Sequence, residues 1–153
     1  MIIVGIIITL LVILIDQLLK LVAIKKFKDN SEKCILGDHI IFTYLENEGA
    51  MLGIFSKHKI VIYIASIVAI VLTIILLFIP LYTRASFNFT HAFTSVFLGG
   101  AIGNFTDRII RGKVIDFVYF RIGKHRSAVF NFADGCIFIG VIGILVGVII
   151  YGI

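Results

Sequence analysis

The sequence predicts an all-α membrane protein, one domain built as a four-helix transmembrane bundle. Of its 153 residues, 60% are hydrophobic before the 14 glycines are counted, and only 15% are charged. Soluble domains average about 45–50% apolar with glycine included and about 25% charged. Three runs (60–83, 85–106 and 135–153) contain no Asp, Glu, Lys or Arg, and each is long enough to cross about 30 Å of hydrocarbon. Four spans use nearly the whole length, which leaves too little chain for a separate soluble module. Disorder, a coiled coil and a secreted disulfide scaffold are excluded.

The spans are expected at about 2–24, 60–83, 87–110 and 133–153. The first carries Asp16, Gln17 and Lys20 inside an otherwise apolar run. With no basic n-region and no A-x-A-like exit, it reads as a permanent helix with a costly polar turn rather than a cleavable signal peptide. A polar stretch at 25–59 follows. Within it, residues 40–45 (IIFTYL) are β-branched and aromatic and precede Asn47-Glu48-Gly49, a strand and then a turn. Pro80 and Tyr82 close the second span, and Arg84 marks a very short turn into the third. The next polar stretch, 109–131, holds the run 114–120, broken by Asp116 and bracketed by Gly112 and Gly123, again strand-like. Gly99 with Gly103, and Gly143 with Gly147, are small-xxx-small pairs that let helices approach closely. Cys34 and Cys136 form no framework and are read as unpaired thiols. The net charge of +5 suits anionic lipid head groups better than nucleic acid, since no basic stripe is interleaved with stacking aromatics.

Nine acids complete the inventory. Asp29, Glu32, Asp38, Glu46 and Glu48 lie in the first polar stretch and read as solvated charges. Asp16, Asp107, Asp116 and Asp134 lie in or beside the spans, where a charge costs several kcal/mol on most estimates and needs a partner or a task. In an alternating bundle, the C-terminal ends of the first and third helices share a membrane face with the N-terminal ends of the second and fourth. All four acids therefore gather on one face, with Asn47, Asn104 and Asn131. The second span has no acid or base between Lys59 and Arg84 apart from tyrosines, so it is expected to be scaffold. Asp16 and Lys20 have the i,i+4 spacing of an ion pair, acid first. Asn104 with Asp107, and Asn131 with Asp134, are three apart and can point the same way. Asp107-Arg108 reads as a structural clamp, and Asp134 as a possible helix cap. Two carboxylates meeting in a partly dry site share a proton and titrate as a pair. One can then act as base toward water while the other hydrogen-bonds the carbonyl under attack, which is aspartic peptide hydrolysis. His39, His58, His91 and His125 are scattered, no serine sits in a G-x-S-x-G turn, and no Cys/His spacing suits zinc.

With these residues in view, the sequence resembles the lipoprotein signal peptidase (signal peptidase II) family. The matching blocks are D-Q-x-x-K at 16–20, N-x-G-A at 47–50, G-G-A-x-G-N-x-x-D-R at 99–108, V-x-D-F at 114–117 and F-N-x-A-D at 130–134. They stand in the family's order over most of the chain. The resemblance implies a multi-pass aspartyl endopeptidase of the bacterial cytoplasmic membrane, a monomer with a small β-rich extracytoplasmic cradle. Its substrates would be prolipoproteins carrying a diacylglyceryl-modified cysteine, cut just before that cysteine. Asp116 and Asp134 would be the catalytic dyad. Asp16, Lys20, Asn47, Gly49, Asn104, Asp107, Arg108 and Asn131 would shape the site and bind substrate. No metal or other cofactor is implied, and the cyclic peptide globomycin is the implied inhibitor.

Two features depart from the pattern. Lys and Arg number six in 25–59 and six in 108–131, against only Arg84 on the opposite side. The positive-inside rule alone would put both polar stretches in the cytoplasm, whereas the resemblance puts them outside, and five ordered motifs outweigh that bias. Met51 stands where the family commonly has a small residue, which bears on the shape of the substrate pocket. The alternatives are an Mg-dependent membrane lipid transferase, against which the acids form no tight D-x-x-D cluster, and a proton-coupled carrier, against which no internal repeat is visible.

Overall fold

The computed structural model describes residues 2–29, 31–35, 37, 39–48, 59–83 and 89–151. Four long helices carry the chain: α1 (Ile2–Phe27), α2 (Lys59–Thr83), α3 (Phe89–Arg111) and α4 (Phe132–Tyr151). Strands β1 (Lys33–Ile35) and β2 (Ile40–Asn47) lie between α1 and α2. Strands β3 (Val114–Ile122) and β4 (His125–Arg126) lie between α3 and α4. Among the described residues, α1, α2 and α4 are long and apolar enough to cross a membrane. Their outward faces are unbroken Ile, Leu, Val and Phe, with Leu10 59% and Ile149 81% exposed. Hydrocarbon accepts such a surface, and a helix meets its own backbone hydrogen-bonding needs there.

Helix α3 is the polar one. It turns Thr90, Thr94, Ser95, Asn104 and Asp107 inward and packs against α1, α2 and α4, so its polar groups are covered by protein. Two of these hydroxyls bond within the helix and one from α1 bridges the bundle: Thr94 donates to Thr90 O at 2.8 Å, Ser95 to His91 O at 2.8 Å, and Thr9 of α1 crosses to Ser95 O at 3.1 Å. The buried Thr90 hydroxyl has no hydrogen-bond partner among the described residues. The expected glycine pairs lie in these seams. A Cβ on Gly99 would stand 2.6 Å from Val12 Cβ, and on Gly143 it would overlap the Phe93 ring. Any side chain there would push α3 off α1, or α4 off α3.

The strands form one antiparallel sheet in the order β1-β2-β3-β4. The expected strands at 40–45 and 114–120 are the central pair, each longer than expected. β1 and β4 went unforeseen because two or three residues carry no period-2 signal. Gly123 adopts φ 59° in the β3–β4 turn and Gly112 φ 72° just after α3, the left-handed region open to glycine. Helix α1 continues past its expected end because its last turn joins the sheet: Ala23 packs with Ile115 and Phe117, and Phe27 stacks on Phe42 at 6.3 Å. The start of α1 and the end of α2 fall where expected, and the start of α2, the end of α3 and the start of α4 differ by one residue. The expected start of α3 at 87 and end of α4 at 153 lie outside the described residues.

Candidate active site

Residue Asp116 is the third residue of β3, 1% exposed, opposite Leu45 and beside a bulge in β2 between Phe42 and Leu45. A bulge there bends the strand and re-aims its side chains. The next segment returns to β3: the amides of Phe117 and Val118 both donate to Phe130 O at 3.0 Å, and Phe130 N donates to Val118 O at 2.8 Å. Asn131 is thereby set against Asp116, and its Nδ2 donates to Asp116 Oδ1 at 2.7 Å. Asn47, ending β2, donates to Oδ2 at 2.9 Å.

Helix α4 begins immediately afterwards. Asn131 Oδ1 accepts from Asp134 N at 2.9 Å, and Asp134 Oδ2 accepts from Asn131 N at 3.2 Å. This reciprocal pair is a capping box, satisfying two orphan amides of the helix start. Asp134 Oδ1 accepts from Asn104 Nδ2 at 2.7 Å. The cap expected of Asp134 and its place beside Asp116 are one arrangement, with Asn131 touching both acids. Burial, and then the charge of Asp134, push the Asp116 carboxyl up to about 6, partly offset by Asn47, Asn131 and Lys20.

Beneath this pair lies a buried ion cluster. Lys20, 0% exposed, spends its three protons on Asp16 Oδ2 at 2.8 Å, Asp107 Oδ2 at 3.0 Å and Asn104 Oδ1 at 3.1 Å. Asp107 also pairs with Arg111, and accepts from Gln17 Nε2 at 3.3 Å and Ile115 N at 3.1 Å. The expected Asp107–Arg108 clamp takes a different form. Consecutive helical residues do not face each other, so Asp107 is held by Lys20 and by Arg111 one turn on. Arg108 instead donates to Asn104 O at 3.2 Å, while Tyr63 OH donates to Arg108 O at 2.7 Å.

A cavity of about 660 Å³ opens beside the two acids. Asn47, Asn104, Arg108, Asp116 and Asp134 form its polar end, and Ile62, Ala65 and Ala69 of α2 face Phe97 and Ile137 along its apolar part. Helix α2, expected to be scaffold, is thus a wall of the site. The signal for it was present in the small residues Ala65 and Ala69, four apart on one face. Asp16, Lys20, Asp107 and Asn131 are not among the lining residues; they hold the side chains that are. Gly49, with Ala50 and Met51, lies outside the described residues. Among the described residues, no group of three or more His, Cys, Asp or Glu is arranged to hold a metal ion.

The family model described as Signal peptidase (SPase) II matches residues 8–150. The chain belongs to the signal peptidase II family. It is 42% identical over 136 residues to the lipoprotein signal peptidase of Lactobacillus johnsonii, covering 89% of this chain and 85% of that protein. It is 34% identical over 145 residues to that of Clostridium tetani, covering 94% and 91%. A solved structure described as a bacterial membrane enzyme superposes with a TM-score of 0.82 at 28% identity, covering 95% of this chain and 87% of that one. A second, of the same description, gives 0.77 at 30% identity, covering 96% and 93%. As a signal peptidase II, the protein is an aspartic peptidase that removes signal peptides from prolipoproteins.

Proposed function

We propose that Asp116 and Asp134 are the catalytic dyad of this peptidase and that the neighbouring cavity receives the scissile segment. The observation that carries this reading is the meeting of two carboxylates, from β3 and α4, at the polar lip of an otherwise apolar cavity. Asp116, whose carboxyl is pushed up to about 6, is the member that holds the proton. Asp134 takes a proton from water as the water oxygen bonds to the carbonyl carbon, and Asp116 donates to the carbonyl oxygen. As the tetrahedral diol collapses, Asp134 passes its proton to the leaving nitrogen, the C–N bond breaks, and a diol hydroxyl returns its proton to Asp116 as the new carboxyl group forms. Arg108 borders the same lip and binds carbonyl oxygens of the peptide.

The scissile bond precedes a diacylglyceryl-modified cysteine, and the apolar walls from α2, α3 and α4 take apolar parts of the substrate. The chain acts as a monomer in the bacterial cytoplasmic membrane, with lipid around all four helices, α3 included. The dyad faces the extracytoplasmic side. The test is cleavage of a diacylglyceryl-modified prolipoprotein by purified protein, with and without globomycin and EDTA, beside Asp134→Asn. Expected are globomycin-sensitive turnover that survives EDTA and no turnover by the variant. Turnover by Asp134→Asn would remove that residue from the chemistry. Loss in EDTA that Mg²⁺ restores would favour a metal-dependent transferase.

A further inference from the structure

Each acid of the dyad is preceded in the chain by a residue whose backbone amide is tied to a buried carboxylate. Ile115 N, next to Asp116, donates to Asp107 Oδ2 at 3.1 Å, and Ala133 N, next to Asp134, donates to Asp16 Oδ1 at 3.0 Å. Those two carboxylates come from different helices and meet at a single ammonium, that of Lys20. Its third acceptor, Asn104 Oδ1, belongs to the amide that donates to Asp134 at 2.7 Å. We propose that Lys20 is a positioning residue for the reaction, fixing both dyad acids at once through Asp16, Asp107 and Asn104 and setting the charge balance beneath them.

The inference rests on the dyad reading above. Lys20 is fully buried and does not line the cavity, so it acts without touching substrate. Of the titratable groups on α1 and the elements packed against it, Asp16 and Asp107 are bonded to Lys20 and Asp116 feels its charge, while Arg111 shares Asp107. Arg108 on α3, Asp134 and Cys136 on α4, Tyr44 and Glu46 on β2 and Tyr63 on α2 belong to the same packed set. Asp107 already has a second cation in Arg111, whereas the only cation bonded to Asp16 among the described residues is Lys20. Removing the ammonium therefore unbalances both tethers unequally and takes a positive charge from below Asp116, which that charge helps to keep acidic.

The test compares the parent, Lys20→Met and the charge-balanced double variant Lys20→Met/Asp107→Asn in one detergent, measuring kcat and KM across pH on a diacylglyceryl-modified prolipoprotein. In both variants kcat falls at least tenfold with KM within about twofold. The alkaline limb of kcat/KM moves to higher pH in Lys20→Met and stays near the parent's in the double variant, which loses a positive and a negative charge together. Lys20→Arg, which keeps the charge but not the three-way geometry, loses kcat with the limb unmoved. A folded Lys20→Met with the parent's limb, a double variant with the parent's kcat, or a rise in KM with kcat intact in either, overturns the proposal. Full activity in Asp116→Asn would instead overturn the dyad reading, so the two failures are distinguishable.

Discussion

In Asp116→Asn the side chain keeps its shape and loses its charge. The parent carboxyl is held at about 6 in the fold, against 3.8 ordinarily. Below about pH 4 it is protonated in the folded and unfolded chain alike, and above about pH 6 it is ionised in both. Between those limits the folded chain binds the extra proton, so the parent loses stability as pH rises through the window. Over about two units, at about 1.4 kcal/mol per unit, the loss is at most about 3 kcal/mol. Asparagine does not titrate, and this slope disappears. Against it stands a pH-independent penalty. Asn47 and Asn131 donate to the two carboxylate oxygens at 2.9 and 2.7 Å, and an amide offers one oxygen to two donors. The stranded donor costs about 1–3 kcal/mol. The variant is therefore less stable than the parent at pH 4 and level with it or better at pH 8, while inactive throughout. Reversible unfolding in detergent at both pH values measures this. A variant-minus-parent difference that stays constant across pH, or moves against the variant as pH rises, refutes the argument that burial and Asp134 hold this carboxyl up.

Two further substitutions test the framework. Asp107→Asn removes the charge facing both Lys20 and Arg111 and weakens the hold on Ile115 N. It should cost about 3–5 kcal/mol, as breaking a buried pair does, read as a fall in the detergent unfolding midpoint; a variant that melts like the parent yet is inactive would make Asp107 a chemical rather than a structural residue. Gly140→Ala would place a Cβ 2.6 Å from Phe97 Cβ and 2.9 Å from the Phe97 backbone. About 1–3 kcal/mol of overpacking should follow, whereas Gly135→Ala on the same helix meets nothing within 4 Å and should be neutral or stabilising. Equal melting of the two would show that the α3–α4 seam relaxes freely.

Much of this molecule follows from local pattern. Charge-free runs fix where helices form, because a membrane solvent leaves the backbone few other choices. The i,i+4 spacing of Asp16 and Lys20 fixes their pairing, and Asn131-x-x-Asp134 fixes a cap. Helix directions alone bring Asp16, Asp107, Asp116 and Asp134 to one face, and the ordered motifs name the family. Tertiary structure decided which carboxylates border the cavity. Asp16 and Asp107 look like Asp116 and Asp134 in sequence, but the first two are consumed by Lys20 and by two backbone amides, while the second two border the cavity. No spacing rule predicts that Lys20 reaches Asp107, 87 positions along the chain, or that α2 supplies a cavity wall. Both depend on how closely helices pack, and that is set by glycines whose partners lie on other helices.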